Sequence, residues 1–76
     1  MGAKAYVLIE TAANRARQVV TSLKRLEEVR EADSVTGPYD VIAVVEAADL
    51  DAIGALVTER IHPIPGTIHT LTCLVI

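Results

Sequence analysis

The chain has 76 residues, 51% of them apolar, and its seven basic and ten acidic side chains give a net charge of -3. That length suits one domain, and the acidic balance argues against direct nucleic-acid binding, because phosphate contacts need clustered Lys and Arg. A single cysteine, Cys73, excludes an internal disulfide and fits a reducing compartment. No apolar run approaches the ~18 residues of a membrane span, and Ala5 to Ile9 is too short for a signal peptide. The expected location is the cytoplasm. A chain this short buries only about 60% of its unfolded surface, so self-association is a natural source of extra stability.

Ala5 to Ile9 is a short apolar run with a tyrosine and two β-branched residues, and it predicts a strand filled on both faces. Thr11 is placed to cap a following helix. From Ala12 to Leu26, apolar residues recur at steps of three and four, through Ala16, Val19, Val20, Leu23 and Leu26. Arg15, Arg17, Lys24 and Arg25 are expected on the solvated side of that helix. Val29 to Val35 alternates weakly, with Val29, Glu31 and Asp33 on one face, as in a partly covered strand. Gly37-Pro38 marks a turn. Asp40 to Ala47 is apolar throughout its centre and predicts a strand buried on both sides. A turn this short makes the two strands an antiparallel hairpin.

Asp49 is the expected cap of a second helix, with Leu50, Ile53, Leu56, Val57 and Ile61 as its stripe. Gly54 inside that helix costs about 1 kcal/mol relative to alanine and invites close packing against the first helix or the sheet. His62-Pro63 ends the helix, Ile64-Pro65-Gly66 turns the chain, and Thr67 to Ile76 supplies a last strand. Cys73, within that apolar strand, is expected to be buried and inert. The order β-α-β-β-α-β predicts an α+β, ferredoxin-like domain spanning 1–76: a four-stranded antiparallel sheet with two helices on one face.

That fold leaves one sheet face free. Both faces of both central strands are apolar, so Tyr6, Leu8, Ile42 and Val44 point away from the helices and need a covering surface. Burying ~600 Å² per copy at ~25 cal/mol/Å² gives roughly 15 kcal/mol before association losses. A two-fold dimer with sheets face to face is the expected solution.

The chemistry-bearing residues are sparse. There is no CxxC, HExxH or GxGxxG pattern, so neither metal nor cofactor is expected, and no carboxylate pair stands out as a catalytic dyad. The region Val35-Thr36-Gly37-Pro38-Tyr39-Asp40 is the best candidate for ligand contact. Gly37 permits unusual backbone or close approach, Tyr39 offers an apolar face with a polar tip, and Asp40 can accept from a ligand ammonium. Thr70 and Thr72 share one face of the last strand, where their hydroxyls suit a ligand carboxylate.

That hairpin, Asp49, and the later Ile64-Pro65-Gly66-Thr67-Ile68 with Thr70-Leu71-Thr72 together resemble the effector domain of the Lrp/AsnC family, also called the RAM domain. The resemblance runs from about Ala5 to Ile76. It implies a ferredoxin-like fold, dimers through the open sheet face, rings that are often octamers or decamers, and small effectors, usually amino acids, held between dimers. Gly37 and Asp40 match the family's hairpin motif, and Thr70 or Thr72 its ligand-contacting threonines. Full-length members carry a helix-turn-helix domain, whereas here the first strand starts almost at Met1. The chain thus resembles a stand-alone effector domain, not expected to bind DNA itself or to be an enzyme.

Three functions follow: an amino-acid-sensing oligomer linked to transcriptional regulation, a structural subunit that co-assembles with a full-length Lrp/AsnC relative, or a small dimeric ferredoxin-like enzyme with a polar cavity between sheet and helices. The ACT domain shares the element order, but its usual glycine near the first strand-helix junction is not evident between Glu10 and Asn14.

Overall fold

A computed structural model describes residues 2–76. The elements follow in the order β1 (Ala3–Thr11), α1 (Ala16–Lys24), β2 (Val29–Ser34), β3 (Val41–Ala47), α2 (Leu50–Leu56), a π-helical turn (Val57–Ile61) and β4 (Thr67–Leu74). The strands form one antiparallel sheet ordered β2-β3-β1-β4. This is the predicted α+β, ferredoxin-like βαββαβ arrangement.

The register explains the apolar runs. Val7 lies opposite Ala43 and Ile9 opposite Val41. These four side chains turn to the helical side and are fully buried, with Val19 and Leu23 of α1 and Ile53 of α2 above them. The alternate residues form the other face, where Tyr6 lies opposite Val44 and Leu8 opposite Ile42. Helix α1 packs over β2 and β3, and α2 over β3 and β1.

The first helix begins later than predicted. Thr11 ends β1 instead of capping, and its amide is held by the Asp40 side chain. The chain then turns through Asn14 at φ 64°, and α1 starts after Arg15, which makes no side-chain cap bond. Asn tolerates this left-handed conformation better than most residues. Arg15, Arg17, Lys24 and Arg25 are all exposed, as a solvated helix face requires.

Asp49 caps α2 as expected, its Oδ1 accepting from the Ala52 N–H at 2.8 Å. The predicted helix reaches Ile61, but its last turn widens, and the His62 N–H donates to the Val57 carbonyl at 2.7 Å, the i to i+5 spacing of a π-turn. Two further expectations are corrected. A bulge between Val29 and Glu31 puts Val29 opposite Val45 but Glu31 opposite Val44, so these two residues do not share a face. Gly54 packs against neither the first helix nor the sheet, because a Cβ there would meet nothing within 4 Å.

Candidate functional site

The hairpin between β2 and β3 carries the first group of candidate residues. The Val35 N–H donates to the Asp40 carbonyl at 2.8 Å and closes the turn. Gly37 sits at φ 145°, a conformation that side-chain-bearing residues rarely adopt, and its surroundings are open. Tyr39 and Asp40 are half-buried, while Gly37 and Pro38 are exposed.

Asp40 is the anchor of this corner. Its N–H donates to the Ile9 carbonyl at 2.9 Å, and its Oδ2 accepts from the Thr11 N–H at 2.8 Å. The aspartate therefore clips the hairpin to the end of β1, 29 positions earlier in sequence. Its second carboxylate oxygen makes no hydrogen bond among the described residues.

Two threonines beside this corner are not among the site residues that the sequence singles out. Thr11 is buried, and its Cα partner across the β1–β4 ladder is Thr67. The Thr67 hydroxyl is buried without a hydrogen-bond partner, a state that normally loses about 1–3 kcal/mol of stabilisation. Its one signal in the sequence is its place after Pro65-Gly66. Gly66 itself has φ 99°, and a Cβ there would come within 2.9 Å of the Arg15 Cβ. Its carbonyl accepts from the Ala12 N–H at 2.8 Å and joins the start of β4 to the end of β1.

Thr70 and Thr72 form a second group. They lie opposite Ile9 and Val7, and so face the helical side of the sheet. Since Ile9 also lies opposite Val41, Thr70 is two strand spacings, roughly 10 Å, from β3 beside Asp40. Thr72 is two residues, about 7 Å, further along. The structure thus brings Gly37, Tyr39 and Asp40 together but keeps Thr70 and Thr72 on the far side of β1.

Thr72 instead borders a 270 Å³ cleft between α2 and β4, with Leu50, Ile53, Gly54, Val57 and Leu74. A more polar cleft of 520 Å³, with Lys4, Arg30 and Glu46, lies where β1 begins and β3 ends. The interior between sheet and helices is filled by aliphatic side chains. His62 and His69 are exposed, so neither lies inside a cavity of the kind the enzyme reading requires. Among the described residues, no three His, Cys, Asp or Glu side chains cluster as metal ligands, and no helix is long and apolar enough to cross a membrane.

The free sheet face is a broader feature. Tyr6 is 42% exposed, and Leu8, Ile42 and Val44 are partly exposed beside it. On β4, Leu71 lies opposite Leu8 and Cys73 opposite Tyr6, so both extend the patch. Cys73 is exposed, contrary to expectation, because no helix covers this face. Charged groups rim the patch. Lys4 reaches over the Tyr6 ring, with Nζ 5.6 Å from its centre, and Glu31 and Asp33 stand opposite Val44 and Ile42.

The sheet order, the two helices on one face and the clipped hairpin define an α+β domain of the ferredoxin-like type. Residues 4–76 match the Lrp/AsnC ligand binding domain, and the chain belongs to that family. Among solved structures, FFRP-DM1 is 36% identical with a TM-score of 0.93, over 97% of this chain and 99% of that one. TTHA0845 from Thermus thermophilus is 35% identical with a TM-score of 0.92, over 97% and 92%. Escherichia coli AsnC is 25% identical with a TM-score of 0.91, over 97% and 50%.

Curated relatives include an uncharacterized HTH-type transcriptional regulator of Pyrococcus abyssi, 31% identical over 70 residues, or 92% of this chain and 44% of that protein. The HTH-type transcriptional regulator Ptr1 of Methanocaldococcus jannaschii is 28% identical over 51 residues, or 67% of this chain and 34% of that protein. The chain therefore spans less than half the length of these two regulators.

Proposed function

We propose that this domain is an oligomeric effector module that senses a small molecule, an amino acid or a close analogue, within the transcriptional regulation of amino acid metabolism. The observation that carries the reading is the match of nearly the whole chain to a ligand-binding family. The hairpin supports it with an open glycine at φ 145° beside a half-buried carboxylate. A fold relative from Neisseria meningitidis, 20% identical, was solved as a complex with L-methionine, which makes amino acids the first ligands to test.

In this reading Asp40 offers its free oxygen to the ligand ammonium, Gly37 allows close approach, and Tyr39 covers the side chain. Thr70 and Thr72 receive the carboxylate. The hairpin and the threonines lie on opposite sides of β1, and the hairpin of one subunit with the threonines of another would make up the site. The module pairs through Tyr6, Leu8, Ile42 and Val44 into dimers, and dimers join into larger rings such as octamers or decamers. Effector binding acts by favouring one assembly over another, since a ligand shifts an equilibrium only through its differential affinity.

Calorimetric titration with each common amino acid tests this directly. Saturable heat from at least one of them, lost in Asp40→Asn, is the expected result. No heat from any, with no change in assembly size, counts against it.

A second reading is favoured by the HTH-type regulators among the relatives. The domain would then co-assemble with a full-length regulator as a structural partner. Co-purification with such a regulator, together with silence in the titrations, would select this reading.

A further inference from the structure

The bulge in β2 has one extra residue, and that residue is Arg30. Val29 lies opposite Val45 and Glu31 opposite Val44, so Arg30 stands in no ladder pair. A bulge re-aims its extra side chain, and such bulges recur beside functional sites. Here Arg30 turns to the end of β3, where its Nε donates to Glu46 Oε1 at 3.3 Å. Glu46 in turn lies opposite Lys4 of β1. Two cations from two strands thus flank one carboxylate.

These three side chains line the 520 Å³ cleft where β1 begins and β3 ends, and the rest of its wall is Gly2 and three alanines. A Cβ at Gly2 would collide with the Ala47 carbonyl, so the chain approaches β3 closely there without a side chain of its own. The volume falls within the ~300–1,000 Å³ of small-molecule sites.

The donors in this cleft are not used up. Glu46 holds Arg30 through Nε, and the two terminal guanidinium nitrogens have no hydrogen-bond partner among the described residues. They form a fork that grips two oxygens of a carboxylate or phosphate in parallel. Lys4 makes no ion pair among the described residues, and its Nζ rests 5.6 Å from the centre of the Tyr6 ring. A carboxylate has only two oxygens, and the fork takes both. A phosphate group has a further oxygen for Lys4.

We propose that this cleft binds the phosphate group of a small phosphorylated molecule, with Arg30 and Lys4 as donors and Glu46 positioning the guanidinium. Lys4 stands at the start of β1, whereas the Asp40 hairpin meets Ile9 near its end, about 17 Å away along the strand. The cleft is therefore a second site, separate from the hairpin. It needs no amino acid, so it stands or falls apart from the sensing proposal.

Residue-resolved NMR titration of the unmodified protein with methyl phosphate, at an ionic strength fixed by sodium chloride, tests it. The Ala47 and Ala48 amides and the Arg30 Nε–H are expected to shift saturably, with half-saturation below about 1 mM, while the hairpin amides of Gly37 and Tyr39 stay in place. Arg30→Gln and Lys4→Gln, both at exposed positions, should each raise that concentration at least about tenfold. Arg30→Lys keeps the charge but loses the fork and should still bind several-fold more weakly, roughly threefold or more. Acetate should bind at least about tenfold more weakly than methyl phosphate. Shifts that grow linearly without saturation overturn the proposal. So does acetate binding as tightly as methyl phosphate, or full affinity in folded Arg30→Gln.

Discussion

Asp40 Oδ2 holds the Thr11 backbone N–H at 2.8 Å, so a hairpin side chain fixes the end of a strand 29 positions away. This bond links the part of the molecule proposed to meet ligand with the part that starts the first helix. Substitution of Asp40 should affect both. Asp40→Ala should lose about 1.5–3 kcal/mol, the usual range for a hydrogen bond to a charged group, read as a lower urea midpoint at unchanged slope. Asp40→Asn keeps an acceptor for Thr11 and should lose less, while effector affinity falls about tenfold or more through loss of the charge. Full affinity in a folded Asp40→Asn would remove the carboxylate from the site.

The glycines should respond with opposite signs. Gly66→Ala combines φ 99° with a Cβ 2.9 Å from the Arg15 Cβ, so a loss of about 1–3 kcal/mol is expected. Gly54 is exposed within α2 with open space around it. Gly54→Ala should therefore gain up to about 1 kcal/mol. Thermal unfolding of the two variants side by side checks the contrast.

Removing the α2 cap should be costly on its own. Asp49→Ala loses the bond to the Ala52 N–H, worth about 0.5–2 kcal/mol. Asp49→Asn or Asp49→Ser should recover most of it in the same unfolding assay.

The open sheet face predicts an assembly phenotype. Leu8→Lys or Tyr6→Glu places a charge in a patch formed with Ile42, Val44 and Leu71, on the side away from the apolar core. Sedimentation should show these variants as single copies at micromolar concentration, with native secondary structure by circular dichroism. Dimers of undiminished stability in both variants would move the interface elsewhere.

The alternation within β1 and β3 was legible because successive strand residues point to opposite faces, while their apolar character at nearly every position showed that both faces need cover. Val7 and Ile9 oppose Tyr6 and Leu8 within β1, and Val41 and Val45 oppose Ile42 and Val44 within β3; the register then joins Val7 and Ile9 to the β3 face of Val41 and Val45. The Asp49 cap was also readable from residue type and spacing. Thr11 was not, since a threonine before a periodic run suits a cap and a strand end equally. The contact that decides it comes from Asp40, far along the chain. The Val29–Glu31 bulge has no local signature in a strand already mixed in polarity. Cys73 reads as buried from its apolar neighbours, and only the missing helical layer over the outer face exposes it. For the candidate site, residue types pointed to Gly37, Tyr39, Asp40, Thr70 and Thr72. Their division into two groups on either side of β1 depends on strand order, which residue types do not carry.

Native mass spectrometry, with and without a mixture of the twenty amino acids, tests the central claim most directly. An oligomeric sensor should appear as assemblies of at least two copies, whose distribution shifts, with added ligand mass, when the mixture is present. A lone subunit with its Tyr6 face in water and no bound amino acid would contradict the account.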